Sequence, residues 1–190
     1  MQGRVYKSTG SWYEVHTEDE EVYQCRIKGK LRLSGSKSTN PVAVGDYVSF
    51  EVQENNEGVI TGIEERRNYI IRRSVNLAKQ TQVIAANLDQ AVLVVTMEYP
   101  VTYPRFIDRF LVTSEAYDIP AALVFNKVDL YSDEALSDLA FYTRVYLDAG
   151  YQVLHTSATE KLGLEDFAEL LKDKTSLLSG HSGVGKSTLI

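Results

Sequence analysis

The sequence of 190 residues lacks the features that mark disulfide-rich, membrane-spanning and secreted proteins. It has one cysteine, Cys25, which excludes an internal disulfide framework and a metal cluster built on several thiolates. No apolar run approaches the roughly 18 residues that cross a bilayer, and the first residues, MQGRVYKSTG, lack the apolar stretch of a signal peptide. These absences predict a soluble protein of the reducing cytoplasm, without a membrane partner.

The sequence also lacks the positive net charge that is typical of nucleic-acid-binding proteins. Its formal net charge is −6. Residues 1–73 hold eleven Lys or Arg and eleven Asp or Glu, whereas residues 74–190 hold nine and fifteen. Since the acidic surplus lies entirely in the second part, the charge of the first part does not argue against RNA.

Five short segments rich in Val, Ile and Tyr predict a small β-barrel at the start of the chain. Turn signals containing Gly, Asn, Ser or Pro separate the segments. The predicted strands cover residues 3–8, 11–17, 21–33, 46–52 and 58–66. A five-stranded OB-fold over residues 1–72 is the expected architecture, and an SH3-like barrel is the alternative. Residues 66–81 are interpreted as a linker.

Residues 73–190 alternate buried strands with amphipathic helices, which predicts a doubly wound parallel α/β domain. Strands are expected at 90–98, 121–129, 151–158 and 175–180. Helices are expected from about Pro104, from a cap at Ser132 to about Ala149, and over 164–173.

The segment GHSGVGKS at residues 180–187 matches the phosphate-loop pattern G-x-x-x-x-G-K-S. An apolar strand precedes it and the start of a helix follows, whereas a chance match in a glycine-rich loop is the alternative. Lys186 is expected to reach the β- and γ-phosphates, and the Ser187 hydroxyl to bind Mg²⁺, so these two residues are the catalytic candidates. The expected nucleotide contacts are Gly180, His181, Ser182, Gly183, Val184, Gly185, Lys186, Ser187 and Thr188.

Two earlier strand ends carry residues suited to a guanine base. In FNKVD, Asp129 can accept hydrogen bonds from guanine N1–H and the 2-amino group, and Asn126 can tie this loop to the phosphate loop. In TSA, the Ala158 N–H can meet guanine O6. Because ligands bind at the carboxyl ends of parallel strands, we expect the three motifs to meet. The predicted contacts here are Asn126, Lys127, Val128, Asp129, Ser157 and Ala158.

The order of these motifs resembles a permuted GTPase. GTPases of the Ras type carry the phosphate loop first, then N-K-x-D, then S-A, whereas this chain carries the phosphate loop last. The chain resembles the circularly permuted ribosome-assembly GTPases of the RsgA family over essentially its whole length. The resemblance extends to TNPVAVGDYV (39–48), RRNYIIRRS (66–74), IAANLDQ (84–90) and RFIDRFL (105–111).

The resemblance implies a GTP-hydrolysing assembly factor of the small ribosomal subunit, with GTP or GDP and Mg²⁺ as ligands, an OB-fold that binds rRNA, and a monomeric state. It also implies a switch threonine, a D-x-x-G motif and a C-terminal zinc domain after residue 190. We therefore expect the chain to be truncated after its phosphate loop and inactive as a GTPase by itself. The alternative is an RNA-binding protein whose guanine pocket senses nucleotide without turnover.

A run of cations in the predicted barrel is the candidate RNA contact. No acidic residue occurs from Val22 through Gly45. Four of its cations lie two residues apart, so one continuous strand would point them to one face. The predicted RNA-binding residues are Arg26, Lys28, Lys30, Arg32 and Lys37, and the alternative is a solvated strand face. Tyr13 or Tyr23 is a candidate for stacking on a base.

Overall fold

A computed structural model describes residues 1–29, 41–73 and 81–190, except the side chains of Arg72, Arg73 and Thr81. The chain divides into two compact units, Met1–Leu88 and Asp89–Ile190. The division between the compact units, after Leu88, lies later in the chain than the predicted domain boundary between residues 72 and 73. That domain boundary stays a prediction. Within the described part of the chain, no helix is long and apolar enough to span a bilayer.

The first unit is built around a closed five-stranded barrel, as predicted. Its strands are β1 (Gln2–Thr9), β2 (Trp12–His16), β3 (Val22–Ile27), β4 (Tyr47–Val52) and β5 (Glu57–Ile63). They close in the order β1-β2-β3-β5-β4, with β3 and β5 parallel and the other pairs antiparallel. This arrangement is the OB-fold rather than the SH3-like alternative.

Alternating side chains of the strands fill the barrel interior. The buried cluster consists of Val5, Tyr13, Val15, Tyr23, Cys25, Val42, Val48, Phe50 and Ile60. Burial raises the pKa of the Cys25 thiol to about 11, so this cysteine is a packing residue with little thiolate near neutral pH. Tyr13 is fully buried and Tyr23 nearly so. Neither ring is available to stack on a base, so that prediction is wrong.

The segment of residues 41–46, which precedes β4, is held by an ion pair between the buried Asp46 and the partly exposed Arg66. Asp46 is fully buried and accepts from Ala43 N at 2.8 Å and from Arg66 Nε and Nη2, each at 2.7 Å. Arg66 also donates to Pro41 O at 2.8 Å. The hydrogen bonds and charge of Asp46 raise the pKa of Arg66, as expected for a paired, partly buried cation.

Part of the predicted linker is a β-hairpin. Strands β6 (Tyr69–Arg73) and β7 (Thr81–Ala86) pair in antiparallel fashion, and Ala85 bridges to Val44. Asn87 Nδ2 donates to Gly45 O at 3.0 Å, which fastens the end of the hairpin to the barrel unit. The interpretation of residues 66–81 as a linker is therefore wrong for β6 and for Thr81, the first residue of β7, while residues 74–80 lie outside the described ranges.

The second unit contains a parallel four-stranded sheet covered on both faces. Its strands are β8 (Gln90–Val95), β9 (Ala121–Asn126), β10 (Gln152–Thr156) and β11 (Ser176–Ser179), in the order β10-β9-β8-β11. Its helices are α1 (Pro104–Ala116), α2 (Asp133–Asp148), α3 (Leu164–Leu171) and the short α4 (Lys186–Leu189). All neighbouring strands are parallel, and the predicted doubly wound domain is confirmed.

The two faces of the sheet have separate cores. Helices α1 and α2 pack through residues such as Ile107 and Leu139 against Leu93 and Phe125. Phe167 of α3 packs with Val92 and Val124 on the other face. The Ser132 hydroxyl accepts from Ala135 N at 3.2 Å, so the predicted N-cap of α2 is present.

Candidate nucleotide-binding site

Three of the four strands of the parallel sheet end in the motifs found in the sequence. The N-K-V-D segment (residues 126–129) begins at the last residue of β9, Ser157 directly follows β10, and Gly180 directly follows β11. Because these strands are parallel, their carboxyl ends share one edge of the sheet, where α/β domains bind ligands.

Asn126 connects the three motifs. Its side chain is 2% exposed, and Nδ2 donates to Val184 O in the phosphate loop at 2.9 Å. Its Oδ1 accepts from Thr156 Oγ1 at the end of β10, also at 2.9 Å. The tie predicted between Asn126 and the phosphate loop is therefore present, and both ends of the amide are satisfied by buried partners.

Three glycines of the phosphate loop have positive φ. The φ values of Gly180, Gly183 and Gly185 are 143°, 86° and 94°, a backbone that other residues rarely adopt and that loops cradling anions commonly use. A Cβ at residue 180 would lie 2.2 Å from Val94 O, so the loop begins in direct contact with β8. Val184 is fully buried and anchors the loop in the core beneath it.

Lys186 and Ser187 lie at the start of α4. Lys186 Nζ donates to the carbonyl oxygens of Gly180 and His181, both at 2.8 Å, so the ammonium group bridges the two ends of the loop. Ser187 and Thr188 are exposed. The Ser187 hydroxyl suits Mg²⁺, an ion that takes few protein ligands and completes its shell with water and phosphate oxygens.

The residues predicted to contact the base follow Asn126 in a tight turn. Lys127 is left-handed, with φ 64°, and its Nζ donates to Tyr99 O at 2.9 Å. Asp129 lies in a 3-10 turn, Val128–Leu130, and its side chain is exposed. A carboxylate in this position is open to a ligand at the edge of the sheet.

The two residues after β10, Ser157 and Ala158, differ in burial and in hydrogen bonding. Ser157 is fully buried, its Oγ accepts from Glu160 N at 3.1 Å, and its backbone pairs with Leu162. Ala158 is partly exposed. Ser157 therefore shapes the turn, which leaves Ala158 as the candidate for contact with a base.

Several residues that no nucleotide-binding motif marks, Pro100, Phe106 and Tyr131, also lie beside the motif residues. His181 stacks on Phe106 with ring centroids 4.0 Å apart. Pro100 lies next to Gly183, where an added Cβ would be 3.6 Å from Pro100 Cδ. Tyr131 donates to the carbonyl of Asn126 at 2.7 Å. The segment after β8, which no motif marks, is thus part of the same edge as the three motifs.

The structure locates two of the five predicted RNA-binding residues. β3 ends at Ile27, so the predicted strand 21–33 is wrong at Lys28 and Gly29, and its residues 30–33 lie outside the described residues. Arg26 is exposed and lies over the Trp12 ring, 3.7 Å from its centroid. Lys30, Arg32 and Lys37 lie outside the described residues.

In the described part of the chain, no group of three or more His, Cys, Asp or Glu side chains is arranged to hold a metal ion. The buried Cys25 does not suit zinc, which needs several exposed or convergent thiolate and imidazole ligands.

Comparison with known proteins connects this geometry to one family. The sequence model of the RsgA GTPase matches residues 63–190, and that of the RsgA N-terminal domain matches residues 2–60. A small ribosomal subunit biogenesis GTPase RsgA of Christiangramia forsetii is 56% identical over 193 residues. The alignment covers 100% of this chain and 61% of that protein. A Bacteroides thetaiotaomicron relative of the same name, RsgA 2, is 52% identical with the same coverage.

Solved structures agree with the fold. YjeQ from Thermotoga maritima superposes with a TM-score of 0.80 at 34% identity, covering 99% of this chain and 63% of that one. YloQ, described as a circularly permuted GTPase, superposes with a TM-score of 0.73 at 34% identity, over 98% and 62% of the two chains. The chain thus spans about three fifths of the length of these relatives.

Proposed function

The chain belongs to the RsgA GTPase family, and we propose that the protein binds GTP at the carboxyl edge of its parallel sheet and hydrolyses it during assembly of the small ribosomal subunit. The observation that carries this proposal is the pair of buried hydrogen bonds by which Asn126 joins the phosphate loop to the ends of β9 and β10. These bonds hold the phosphate-binding and base-binding residues at fixed positions on one edge.

In the proposed complex, the backbone of residues 180–187 surrounds the phosphates and Lys186 exchanges its two carbonyl partners for phosphate oxygens. Its positive charge stabilises the negative charge that grows on the γ-phosphate as water attacks. Mg²⁺, when bound through Ser187, supplies further charge neutralisation at the β- and γ-phosphates. Asp129 accepts from guanine N1–H and the 2-amino group, and Lys127 lies along the base plane.

The hydrolysis is tested with the full-length gene product and its Lys186→Ala variant. We expect the variant to release phosphate from GTP at least about 100-fold more slowly than the wild type. This is the usual cost of removing one hydrogen-bond donor to the transition state. Lys172→Ala, which removes an exposed cation of the same unit, is the matched control and is expected to keep the wild-type rate. Tight GTP binding by a wild type without turnover would instead favour a nucleotide-sensing protein.

We propose that the barrel contacts rRNA through the outer face of β2 and β3, where OB-folds bind nucleic acids. Arg26 and Trp12 form a stacked pair on that face. On the neighbouring β1, Tyr6 is 56% exposed and stacks on His16 with centroids 4.1 Å apart. Exposed cations suit phosphates, and exposed ring faces suit unpaired bases. Lys28, Lys30, Arg32 and Lys37 are proposed to extend the cationic part of this surface.

Removal of four cations, Arg26, Lys28, Lys30 and Arg32, is expected to lower the dependence of RNA affinity on salt. If each neutralises one phosphate, the slope of log affinity against log salt concentration falls by roughly 3 to 4 units. Binding of small-subunit rRNA by the full-length gene product is measured across a salt series. The control removes four exposed cations of the second unit, Arg105, Arg109, Arg144 and Lys172. Equal slopes for wild type and barrel variant would identify a solvated face.

A further inference from the structure

A buried tyrosine hydroxyl closes the base-recognition loop. Tyr131 is 8% exposed, and its hydroxyl donates to the carbonyl of Asn126 at 2.7 Å. The same oxygen accepts from Met97 N, which follows β8, at 2.9 Å. Burial is the main cause that raises the pKa of Tyr131 to about 12, so the hydroxyl keeps its proton and remains a donor at neutral pH.

Asp129 lies within the segment of residues 126–131, whose two ends the Tyr131 hydroxyl connects. The 3-10 turn Val128–Leu130 lies between the left-handed Lys127 and Tyr131. The backbone bond from Leu130 N to Lys127 O, at 3.0 Å, spans the middle of the turn. The Tyr131 hydroxyl joins the first and last residues of the segment, Asn126 and Tyr131, and so fixes both ends of the turn that carries Asp129.

The segment is also held from outside. Glu98 Oε2 accepts from Ser132 N at 2.8 Å and its Oε1 accepts from the Ser132 hydroxyl at 3.2 Å. Met97 and Glu98 thus bind the consecutive residues Tyr131 and Ser132. From Met97 the hydrogen bonds continue through Tyr131 to Asn126, and from Asn126 to Val184 and Thr156. One connected chain of bonds therefore joins the segments that follow β8 and β11 to the last residues of β9 and β10.

We propose that Tyr131 is a positioning residue for guanine specificity, which rests on the proposed function of this site. Its hydroxyl sets the direction of the Asp129 carboxylate by closing the turn, and it does so without contact with the base. The phosphate loop does not depend on this closure, because Asn126 keeps its side-chain bonds to Val184 and Thr156 when the carbonyl loses its partner. The expected defect is therefore in discrimination between bases rather than in binding of the phosphates.

The test compares GDP with inosine diphosphate, which lacks only the 2-amino group, in the full-length gene product. In Tyr131→Phe we expect the preference for GDP over inosine diphosphate to fall by about tenfold, the scale of one lost hydrogen bond. The affinity for inosine diphosphate is expected to fall less than that for GDP, because this base makes one bond to Asp129, from N1–H, where guanine makes two. Titration calorimetry of both nucleotides gives the four affinities that decide this.

Tyr146→Phe is the matched control. Tyr146 belongs to the same buried cluster, is 4% exposed, and donates from its hydroxyl to Asp108 Oδ1 at 3.0 Å, with no bond to the base loop. Burial also raises the pKa of Tyr146. The control is expected to lose stability but to keep the wild-type preference for GDP. An equal loss of preference in both variants would overturn the positioning role, as would an unchanged preference in Tyr131→Phe.

A second measurement needs no variant. The Met97 amide, bonded to the buried hydroxyl, is expected to exchange its hydrogen slowly in the wild type, and exchange at the rate of an unprotected amide would overturn the proposal.

A wild type that binds neither nucleotide would overturn the proposed function together with this inference. A wild type that prefers GDP, and whose preference survives Tyr131→Phe, would overturn this inference alone.

Discussion

The Asp129→Asn variant is expected to exchange guanine for xanthine as its preferred base. The carboxylate of Asp129 accepts from two guanine donors in the proposed complex, and its exposed position after β9 leaves it free to do so. Xanthine has a carbonyl in place of the 2-amino group, which a carboxylate repels and an amide N–H satisfies. Sites built around such bonds reject a mismatched ligand by about 10⁴ to 10⁵.

The measurement titrates GTP and xanthosine triphosphate against wild type and variant of the full-length gene product. The variant should lose most of its GTP affinity and gain affinity for xanthosine triphosphate, while Lys186 and Ser187 continue to hold the phosphates. Asp138→Asn, an exposed aspartate on α2, is the matched control and should retain the wild-type preference. Retention of full GTP affinity by Asp129→Asn would show that Asp129 does not contact the base.

The Gly185→Ala variant is expected to lose both stability and nucleotide affinity. Gly185 has φ 94°, and a Cβ there would lie 2.4 Å from Asn126 Nδ2. An alanine in this conformation costs roughly 1–2 kcal/mol in backbone strain. Displacing the buried Asn126 amide from its partners costs about 1–3 kcal/mol more. Together these costs are expected to lower the free energy of unfolding by about 2–5 kcal/mol, and a loop displaced from Asn126 is expected to bind the phosphates of GDP more weakly.

Gly183→Ala separates the strain from the clash. Gly183 has φ 86°, but among the described residues a Cβ there would meet only Pro100 Cδ, at 3.6 Å, an ordinary contact. The two variants therefore share the backbone cost and differ in the contact with Asn126. Thermal unfolding should show Gly185→Ala to be less stable than Gly183→Ala. Equal melting temperatures would contradict the role assigned to the packing of Gly185 against Asn126.

The candidate site could be predicted from the sequence because each of its motifs follows a recognisable strand and parallel strands place such motifs side by side. The phosphate loop, the N-K-V-D segment and the S-A pair each follow an apolar strand, and parallel strands bring their carboxyl ends to one edge. The bond between Asn126 and Val184 was predictable for this reason. The cap at Ser132 was predictable from side-chain chemistry alone.

Features that depend on long-range contacts could not be read in this way. The hairpin of β6 and β7 contains apolar residues within a segment rich in arginine, and it is stabilised by contacts such as Asn87 with Gly45. The end of β3 at Ile27 interrupts a sequence that continues to alternate. Tyr131 has the pattern of a core residue, and its hydroxyl acquires a partner only because Met97 lies beside it in the fold. Tertiary contacts, not propensity, decide these positions.

The most direct test of a guanine-nucleotide site at this edge is titration of the full-length gene product with GDP and with ADP, in the presence of Mg²⁺. Adenine lacks the N1–H and the 2-amino group, the two donors from which Asp129 is proposed to accept. The two nucleotides present the same phosphates to the loop at residues 180–187. We expect GDP to bind at least about 10⁴-fold more tightly than ADP. Equal affinity for GDP and ADP, or a preference for ADP, would contradict a guanine-nucleotide site at this edge.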